Sequence, residues 1–246
     1  MTVLACIAVV SVGLALYINK IADTLPTDDE ILAYRANEAS IVYDRKGRVI
    51  TELYVENRKP MKLEQFSKWM VMSILAAEDS QFYSHKGIRP LAILRSLFSG
   101  EGGQGASTIT QQLAKNLYPR DTAVYNNPIS KGSKLVISKL KEWITAVMLE
   151  YNYTKEEIIT MYLNTVPYGS NAYGIKSAAR TFFNKLPSEL NVQEAAMLVG
   201  VVNAPTRYSP RSNPDRALAR RNTVISRMRD SRTAELKPPL MEWSSK

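Results

Sequence analysis

Residues 75–87 read LAAEDSQFYSHKG, and the rest of the chain is organised around this stretch. It continues an apolar run, residues 69–77, that only Ser73 interrupts. An apolar run this short predicts a buried core helix rather than a membrane span. That helix would carry two adjacent carboxylates, Glu78 and Asp79, to its end, directly before two aromatic residues, a histidine and a glycine. Taken alone, such an acidic pair is typical of a solvated helix end.

The length and composition limit the possible classes of protein. A chain of 246 residues can bury a sizeable core and predicts one domain with an appendage. The single cysteine, Cys6, excludes an intramolecular disulfide. The 32 basic and 23 acidic residues give a formal charge of +9. This charge suits a nucleic acid, an anionic membrane surface or a phosphorylated substrate, and does not choose among them.

The N-terminal segment predicts a membrane anchor. Residues 2–19 carry no charge and are rich in valine, leucine, alanine and isoleucine. As a helix they would span about 27 Å, close to the roughly 30 Å of a bilayer's hydrocarbon core. Residues 17–20 offer no site of the small-x-small type that signal peptidases cleave, so an uncleaved anchor is favoured over a signal peptide. We therefore predict a transmembrane anchor over residues 1–20 and a polar connector over residues 21–39.

The remainder of the chain predicts a mainly α domain over residues 40–230. Residues 40–54 alternate around Asp-Arg-Lys-Gly at positions 44–47, which predicts a short β-hairpin. Beyond it the apolar spacing is helical, and residues 154–157 and 191–194 have the pattern of capping boxes that begin helices.

A second informative stretch, residues 102–116, reads GGQGASTITQQLAKN. Here a glycine-rich loop leads into a helix start that is rich in hydroxyl and amide side chains. Free backbone N–H groups at such a start suit an anion. Lys115, eight residues after Ser107, would extend the same polar edge. The alternative is a solvated loop followed by an ordinary amphipathic helix.

The third stretch, residues 138–150, reads SKLKEWITAVMLE. Its apolar residues recur at helical spacing and predict a buried stripe. They are Leu140, Trp143, Ile144, Val147 and Met148. Lys139 and Glu142 lie three residues apart on the opposite face, where they can be neighbours. The alternative to a functional pair is a solvated ion pair worth about 0.3–0.5 kcal/mol.

Together these stretches resemble the peptidoglycan glycosyltransferases, which are the polymerase domains of class A penicillin-binding proteins and the monofunctional transglycosylases. Five segments are similar to the family's motifs, in the family's order: residues 78–87, 105–116, 139–142, 162–169 and 204–210. The likeness covers about residues 39–229.

The resemblance implies a lysozyme-like glycosyltransferase domain with a small jaw lobe near the membrane. It also implies polymerisation of lipid II into glycan strands, with the growing chain as donor and the incoming lipid II as acceptor. By match to the first motif, Glu78 would be the general base that takes the proton from the acceptor's 4-hydroxyl. Undecaprenyl diphosphate would then leave with inversion at the anomeric carbon.

The resemblance further implies where the protein works and with what. It would be a single-pass protein of the bacterial cytoplasmic membrane with its catalytic domain on the outer face. Its partners would be lipid II, the growing glycan strand, the lipid bilayer and other cell-wall synthesis proteins, and no nucleic acid. No cofactor is required. A divalent cation such as Mg²⁺ would help at the diphosphate, but no metal-ligand cluster of the usual spacing is visible.

The residue types suit this chemistry. A sugar hydroxyl is a poor nucleophile, so a partly buried glutamate provides the base. Diphosphate is already a good leaving group, so charge neutralisation by Lys115 and Lys139, which match family positions near it, can replace strong acid catalysis. Glu142 would lie in the donor site and orient donor groups or assist the leaving group. The matching polar wall consists of Ser107, Thr108, Gln112 and Asn116.

Other residues of the first motif would support Glu78. They are Asp79, Phe82, His85 and Gly87. His85 is the only histidine of the chain, and the family pattern makes it structural rather than a proton carrier. Asp79 would either adjust the ionisation of Glu78 or hold local structure.

Two features depart from simple expectation. Ser138 stands where the third motif usually has arginine, and Lys131, Lys134 or Lys141 would have to supply that charge. The basic run over residues 207–232 predicts a solvated helix, with contact to acidic headgroups or substrate as the alternative.

Two other functions stay open. A muramidase on the related lysozyme fold would need an acidic glutamate but no lysine-lined diphosphate wall, and residues 108–115 argue against it. A non-catalytic scaffold or basic nucleic-acid binder would leave Glu78 and Glu142 without a role. Residues 231–246 are predicted to form a tail, with truncation before a second domain left open, so no cross-linking activity is assigned.

Overall fold

The computed structural model describes residues 25–32, 40–53, 61–98, 107–118 and 128–231. The predicted anchor, most of the predicted connector, the glycines of the second stretch and all but one residue of the tail lie outside this part of the chain. Among the helices that are described, none is both long and apolar enough to span a bilayer.

The described part of the chain is mainly α-helical, as predicted. Its α-helices are α1 (Asp28–Leu32), α2 (Lys68–Glu78), α3 (Pro90–Phe98), α4 (Ile109–Leu117), α5 (Pro128–Asn152), α6 (Lys155–Thr165), α7 (Gly174–Phe183), α8 (Val192–Val202) and α9 (Pro214–Asp230). Short 3₁₀-helices lie at Leu63–Gln65, Phe82–Ser84 and Pro187–Glu189. Strands β1 (Ser40–Tyr43) and β2 (Val49–Leu53) pair antiparallel. In the turn between them, Asp44 Oδ1 accepts the backbone N–H groups of Lys46 and Arg48.

Helix α2 lies in the core, as its apolar sequence predicts. Met70, Ile74 and Leu75 have no exposed surface. The helix packs against α8 and α9, and burial of each such large side chain stabilises the fold by about 1.5–3 kcal/mol. Ser67 begins the helix, because its side-chain oxygen accepts the backbone N–H of Trp69 at 3.2 Å. The end of this buried helix therefore delivers the acidic pair into the domain.

Helix α5 packs with a different face from the predicted one. Its buried residues, at i, i+3, i+4 and i+7, are Glu142, Thr145, Ala146 and Leu149. In the predicted stripe Val147 is 42% exposed and the other four residues are only half-buried. The prediction that this stripe forms the buried face is therefore wrong. The spacing of apolar residues does not show where a small residue permits another segment to approach closely, and it does not show where a buried acid has a partner.

Helix α1 lies within the predicted polar connector, yet it docks on the domain. Ile31 is 1% exposed, and the hydroxyl of Tyr153 donates to its carbonyl oxygen at 2.7 Å. Because Tyr153 directly follows α5, this contact fastens the segment before the strands to the C-terminal end of that helix.

Candidate active site

Glu78 is the last residue of α2, and its side chain is only 7% exposed. Its Oε2 accepts a hydrogen bond from Gln112 Nε2 at 3.0 Å. Its Oε1 is buried and has no hydrogen-bond donor among the described residues. A guanidinium nitrogen of Arg220, Nη2, lies 3.7 Å from Oε1. The surroundings of Glu78 are therefore not those of a solvated helix end.

Gln112 links Glu78 to a second buried group. Its Oε1 accepts a hydrogen bond from the hydroxyl of Tyr162 at 2.8 Å. Tyr162 has no exposed surface, and burial, together with the negative charge of Glu78, raises the pKa of its hydroxyl well above the ordinary value of 10.0. The hydroxyl therefore stays protonated and able to donate at neutral pH.

Asp79 lies at the other side of the same chain turn, and its side chain has no exposed surface. Its Oδ2 accepts from His85 Nε2 at 2.8 Å and from the backbone N–H of Ile109 at 3.1 Å. A carboxylate can only accept, so the ring nitrogen of His85 that faces it carries the proton. Arg89 Nη1 lies 3.9 Å from Oδ1. Asp79 thus joins the loop after α2 to the first turn of α4.

Gly87 brings the first motif against α5. Its φ is +83°, and a Cβ there would lie 2.7 Å from the carbonyl oxygen of Ala146, so only glycine fits without displacement. Thr108 Oγ1 donates to the carbonyl of Gly87 at 2.5 Å and accepts the N–H of Gln111, which caps α4. The first and second motifs and the helix of the third therefore meet at this point.

Phe82 and Lys155 contact each other and hold the loop of the first motif in place. Phe82 is fully buried, and Lys155 Nζ lies 4.4 Å from the centre of its ring. The same ammonium donates to the carbonyl of His85 and to Glu150 Oε1, both at 2.7 Å. Glu150 also accepts from the hydroxyl of Thr110 at 2.6 Å, which ties α5 to α4. These contacts hold the loop of the first motif against α4 and α5.

The predicted pair of the third motif is formed. Lys139 Nζ and Glu142 Oε2 lie 2.6 Å apart, with Lys139 37% and Glu142 6% exposed. The acid is therefore buried, in contrast to a solvated surface pair. Glu142 also lies one turn before Ala146 on the same face of α5, which is the face that Gly87 approaches.

The other predicted wall residues lie further out. Ser107 and Asn116 are half-buried, and Lys115 is exposed. Lys115 follows Gln112 by three residues on α4, so the two side chains are neighbours on the helix surface. Among the described residues, no hydrogen bond joins Ser107, Lys115 or Asn116 to Glu78.

Three lysines were predicted to replace the missing arginine of the third motif, and the structure describes the side chain of one of them, Lys141. Ser138 and Lys141 are half-buried on α5. The side chains of Lys131 and Lys134 lie outside the part of the chain that the structure describes. In that part, no group of three or more histidine, cysteine or acidic side chains is placed to hold a metal ion.

Sequence reasoning missed Tyr162 and two arginines of α9. Arg220 is 14% exposed beside Glu78, and Arg227 Nη1 donates to the carbonyl of Ala77 at 2.6 Å. The prediction of a solvated basic helix is therefore wrong for this side of α9. A usable signal was present, because Arg220 falls at helical spacing among the buried Ala217, Val224 and Met228.

Comparisons with known proteins agree on one family. The Transglycosylase family model matches residues 46–229. Penicillin-binding protein 1A of Escherichia coli (strain K12) is 39% identical over 193 residues, which are 77% of this chain and 21% of that protein. Penicillin-binding protein 1A of Aquifex aeolicus is 35% identical over 230 residues, which are 92% of this chain and 30% of that protein. The chain spans less than a third of the length of these relatives.

Solved structures were compared as well, and one of the similar chains is that of a penicillin-binding protein. The crystal structure of Penicillin-Binding Protein 1A from Haemophilus influenzae aligns with 84% of this chain and 21% of that chain, at 22% identity and a TM-score of 0.42.

Proposed function

The chain belongs to the transglycosylase family, and on that premise we propose that it polymerises peptidoglycan glycan strands from lipid II. The reaction is glycosyl transfer with inversion, and undecaprenyl diphosphate is released. The observation that carries the proposal is the position of Glu78 at the end of α2, where its buried carboxylate lies between Gln112 of the second motif and Arg220. One carboxylate oxygen is held by Gln112, and the other is left without a donor among the described residues. A carboxylate held in this way is oriented, and it keeps one oxygen available for a proton.

Glu78 acts as the general base in this proposal. Oε1 takes the proton of the acceptor's 4-hydroxyl while the hydroxyl oxygen forms a bond to the donor's anomeric carbon, and the bond to the diphosphate breaks. General base catalysis of this kind contributes about 10²- to 10⁴-fold. Oε1 is itself buried, so the acceptor hydroxyl reaches it when substrate binding displaces the groups that cover it. Arg220 places a positive charge 3.7 Å from this oxygen.

The leaving diphosphate needs positive charge rather than a proton. Lys139 and Lys115 are the cations of the two neighbouring motifs, and both side chains reach the surface. In this proposal they neutralise the charge that develops on the diphosphate. Glu142 holds the ammonium of Lys139 at 2.6 Å and so orients it toward the donor.

The setting follows from the same premise. We propose a lysozyme-like domain with a small jaw lobe at the outer face of the bacterial cytoplasmic membrane, anchored by residues 1–20. Lipid II, the growing strand, the bilayer and other cell-wall synthesis proteins would be its partners. A divalent cation at the diphosphate stays a prediction, and since the described residues hold no ligand cluster for it, no step is assigned to it.

Incubation of the chain with lipid II, and separately with finished peptidoglycan, tests the proposal. We expect glycan strands from lipid II, inhibition by a donor-site inhibitor, and no shortening of finished strands. Glu78→Gln should abolish polymerisation and Glu142→Gln should reduce it strongly, with both proteins folded by circular dichroism. A Glu78→Gln protein that polymerises at the wild-type rate would overturn the assignment. A chain that only shortens finished glycan would identify a muramidase instead.

A further inference from the structure

The structure contains a chain of three hydrogen-bonded side chains that ends at Glu78. The hydroxyl of Tyr162 donates to Gln112 Oε1 at 2.8 Å, and Gln112 Nε2 donates to Glu78 Oε2 at 3.0 Å. The three residues come from α6, α4 and α2. We propose that Tyr162 is a positioning residue, whose hydroxyl fixes the amide of Gln112 so that its NH₂ group faces the carboxylate of Glu78. This inference rests on the proposed function of Glu78 as the base.

The side-chain amide of Gln112 has a donating NH₂ group on one side and an accepting oxygen on the other. Glu78, when ionised, can only accept, so it requires the NH₂ side of Gln112. The oxygen of that amide then points into the core, where Tyr162, with no exposed surface, is its donor. Without the hydroxyl, the amide oxygen would be buried and unpaired, a state that a side chain relieves by rotating toward water or another donor. The rotation would take Nε2 away from Glu78.

The consequence for catalysis concerns which oxygen receives the proton. While Nε2 occupies Oε2, the lone pairs of Oε1 are the ones left for the acceptor hydroxyl. Tyr162 thus acts through Gln112 on the orientation of the base and on the stability of its anion. It does not itself exchange a proton, because burial holds its pKa well above its ordinary range.

A matched control is present in the same core. Tyr168 is also fully buried, but its hydroxyl has no hydrogen-bond partner among the described residues. The changes Tyr162→Phe and Tyr168→Phe remove the same atom from equally buried rings. Only the first removes a donor from the chain that reaches Glu78.

The test measures lipid II polymerisation by the full chain and these variants across pH. Tyr162→Phe should lower kcat by about 10- to 100-fold, with KM changed less than about twofold, because a buried acceptor loses its donor. The acid limb of its pH–rate profile should move to higher pH, because the anion of the base has lost a fixed N–H donor. Tyr168→Phe should leave both kcat and the acid limb unchanged.

A double-mutant cycle with Gln112→Leu gives an independent readout. Single-turnover assays at high enzyme concentration keep the slow variants measurable. If Tyr162 acts through Gln112, then Tyr162→Phe should change the rate of the Gln112→Leu protein by less than about twofold. An equal loss in both backgrounds, or a slower Tyr162→Phe enzyme with an unmoved acid limb, would show a packing role only and overturn the inference. A wild-type chain that fails to polymerise would instead count against the proposed function.

Discussion

Glu78 and Asp79 are neighbours in the sequence, yet their carboxylates contact different parts of the domain. Oδ2 of Asp79 takes two donors, one from His85 and one from the backbone of Ile109, and its side chain has no exposed surface. Glu78 takes one donor, the side-chain amide of Gln112, on Oε2. In both residues the second oxygen, Oδ1 of Asp79 and Oε1 of Glu78, is buried and has no donor among the described residues. The two carboxylates therefore differ in the number of donors on the other oxygen and in the parts of the chain that these donors join: Asp79 joins the loop after α2 to the backbone of α4, and Glu78 contacts a side chain of α4.

The divergence has a local cause. Helix α2 ends at Glu78, and the backbone of Asp79 leaves the helical conformation, with φ −158° and ψ 80°. Glu78 points toward Gln112 and Arg220, and Asp79 points toward the first turn of α4.

The largest expected effect comes from replacing Asp79, whose carboxylate joins the loop after α2 to α4. Asp79→Ala leaves the buried ring nitrogen of His85 and the N–H of Ile109 without their acceptor, so we expect it to lower the free energy of unfolding by about 3–5 kcal/mol. Urea denaturation followed by circular dichroism measures this loss. Glu78→Gln is the matched control, and we expect it to lie within about 1 kcal/mol of wild type. Equal destabilisation by the two changes would contradict the structural role that is assigned to Asp79 and not to Glu78.

A smaller effect should follow at Gly87, where the loop of the first motif lies closest to α5. Gly87→Ala would put a methyl group 2.7 Å from the carbonyl oxygen of Ala146 at a φ of +83°, and we expect it to destabilise the fold by about 2–4 kcal/mol. Gly47→Ala is the control, because its φ is +76° with nothing within 4 Å of the added atom. It should lose about 1 kcal/mol, the conformational part alone. Thermal unfolding of both proteins separates crowding from backbone strain, and equal losses would mean that the contact with α5 is unimportant.

Local signals in the sequence predicted the scaffold well. The apolar run predicted α2 as a core helix, and the capping boxes at Thr154 and Asn191 form as expected, each side chain accepting the N–H three residues on. These features depend on near neighbours, which the sequence displays directly. The motif spacing likewise placed Glu78, Gln112 and the pair on α5 among the candidate residues.

Features that depend on distant partners could not be predicted in the same way. Hydrophobic spacing chose the wrong face of α5, because the true face is set by the approach of Gly87 to Ala146. Arg220 looked like one more charge of a solvated helix, since its partner Glu78 lies far away in the sequence. Tyr162 lies in a segment that is similar to a family motif, but it was given no role because nothing in its own helix indicates that its hydroxyl meets Gln112.

Two similar ion pairs test the proposed role of Lys139 at the donor site. Lys139 and Lys185 lie 2.6 Å and 2.7 Å from Glu142 and Glu194, and are 37% and 39% exposed. We expect Lys139→Met to lower kcat/KM by about 10- to 100-fold, because the diphosphate loses a neutralising charge. Lys185→Met should leave kcat/KM unchanged, and circular dichroism checks that both variants are folded. Equal activity of the two variants would remove Lys139 from the donor site.

The smallest expected effect concerns Tyr162, the buried tyrosine that is linked to Glu78 through Gln112. Burial raises the pKa of Tyr162 first, and the charge of Glu78 adds to it ahead of that of Asp79. The folded state thus keeps the proton to higher pH than the unfolded state, so this contribution to stability is complete below pH 10.0 and is lost as the pH rises above it. The expected slope is about 1.4 kcal/mol per pH unit, with an equal share from Tyr168, whose pKa burial also raises. Urea midpoints measured above and below that pH should show Tyr162→Phe losing less stability in alkali than wild type.

The charge of Glu78 repels the tyrosinate, so Glu78→Gln should let Tyr162 ionise at lower pH in ultraviolet titration. An unchanged titration would mean that the charge of Glu78 does not act on Tyr162.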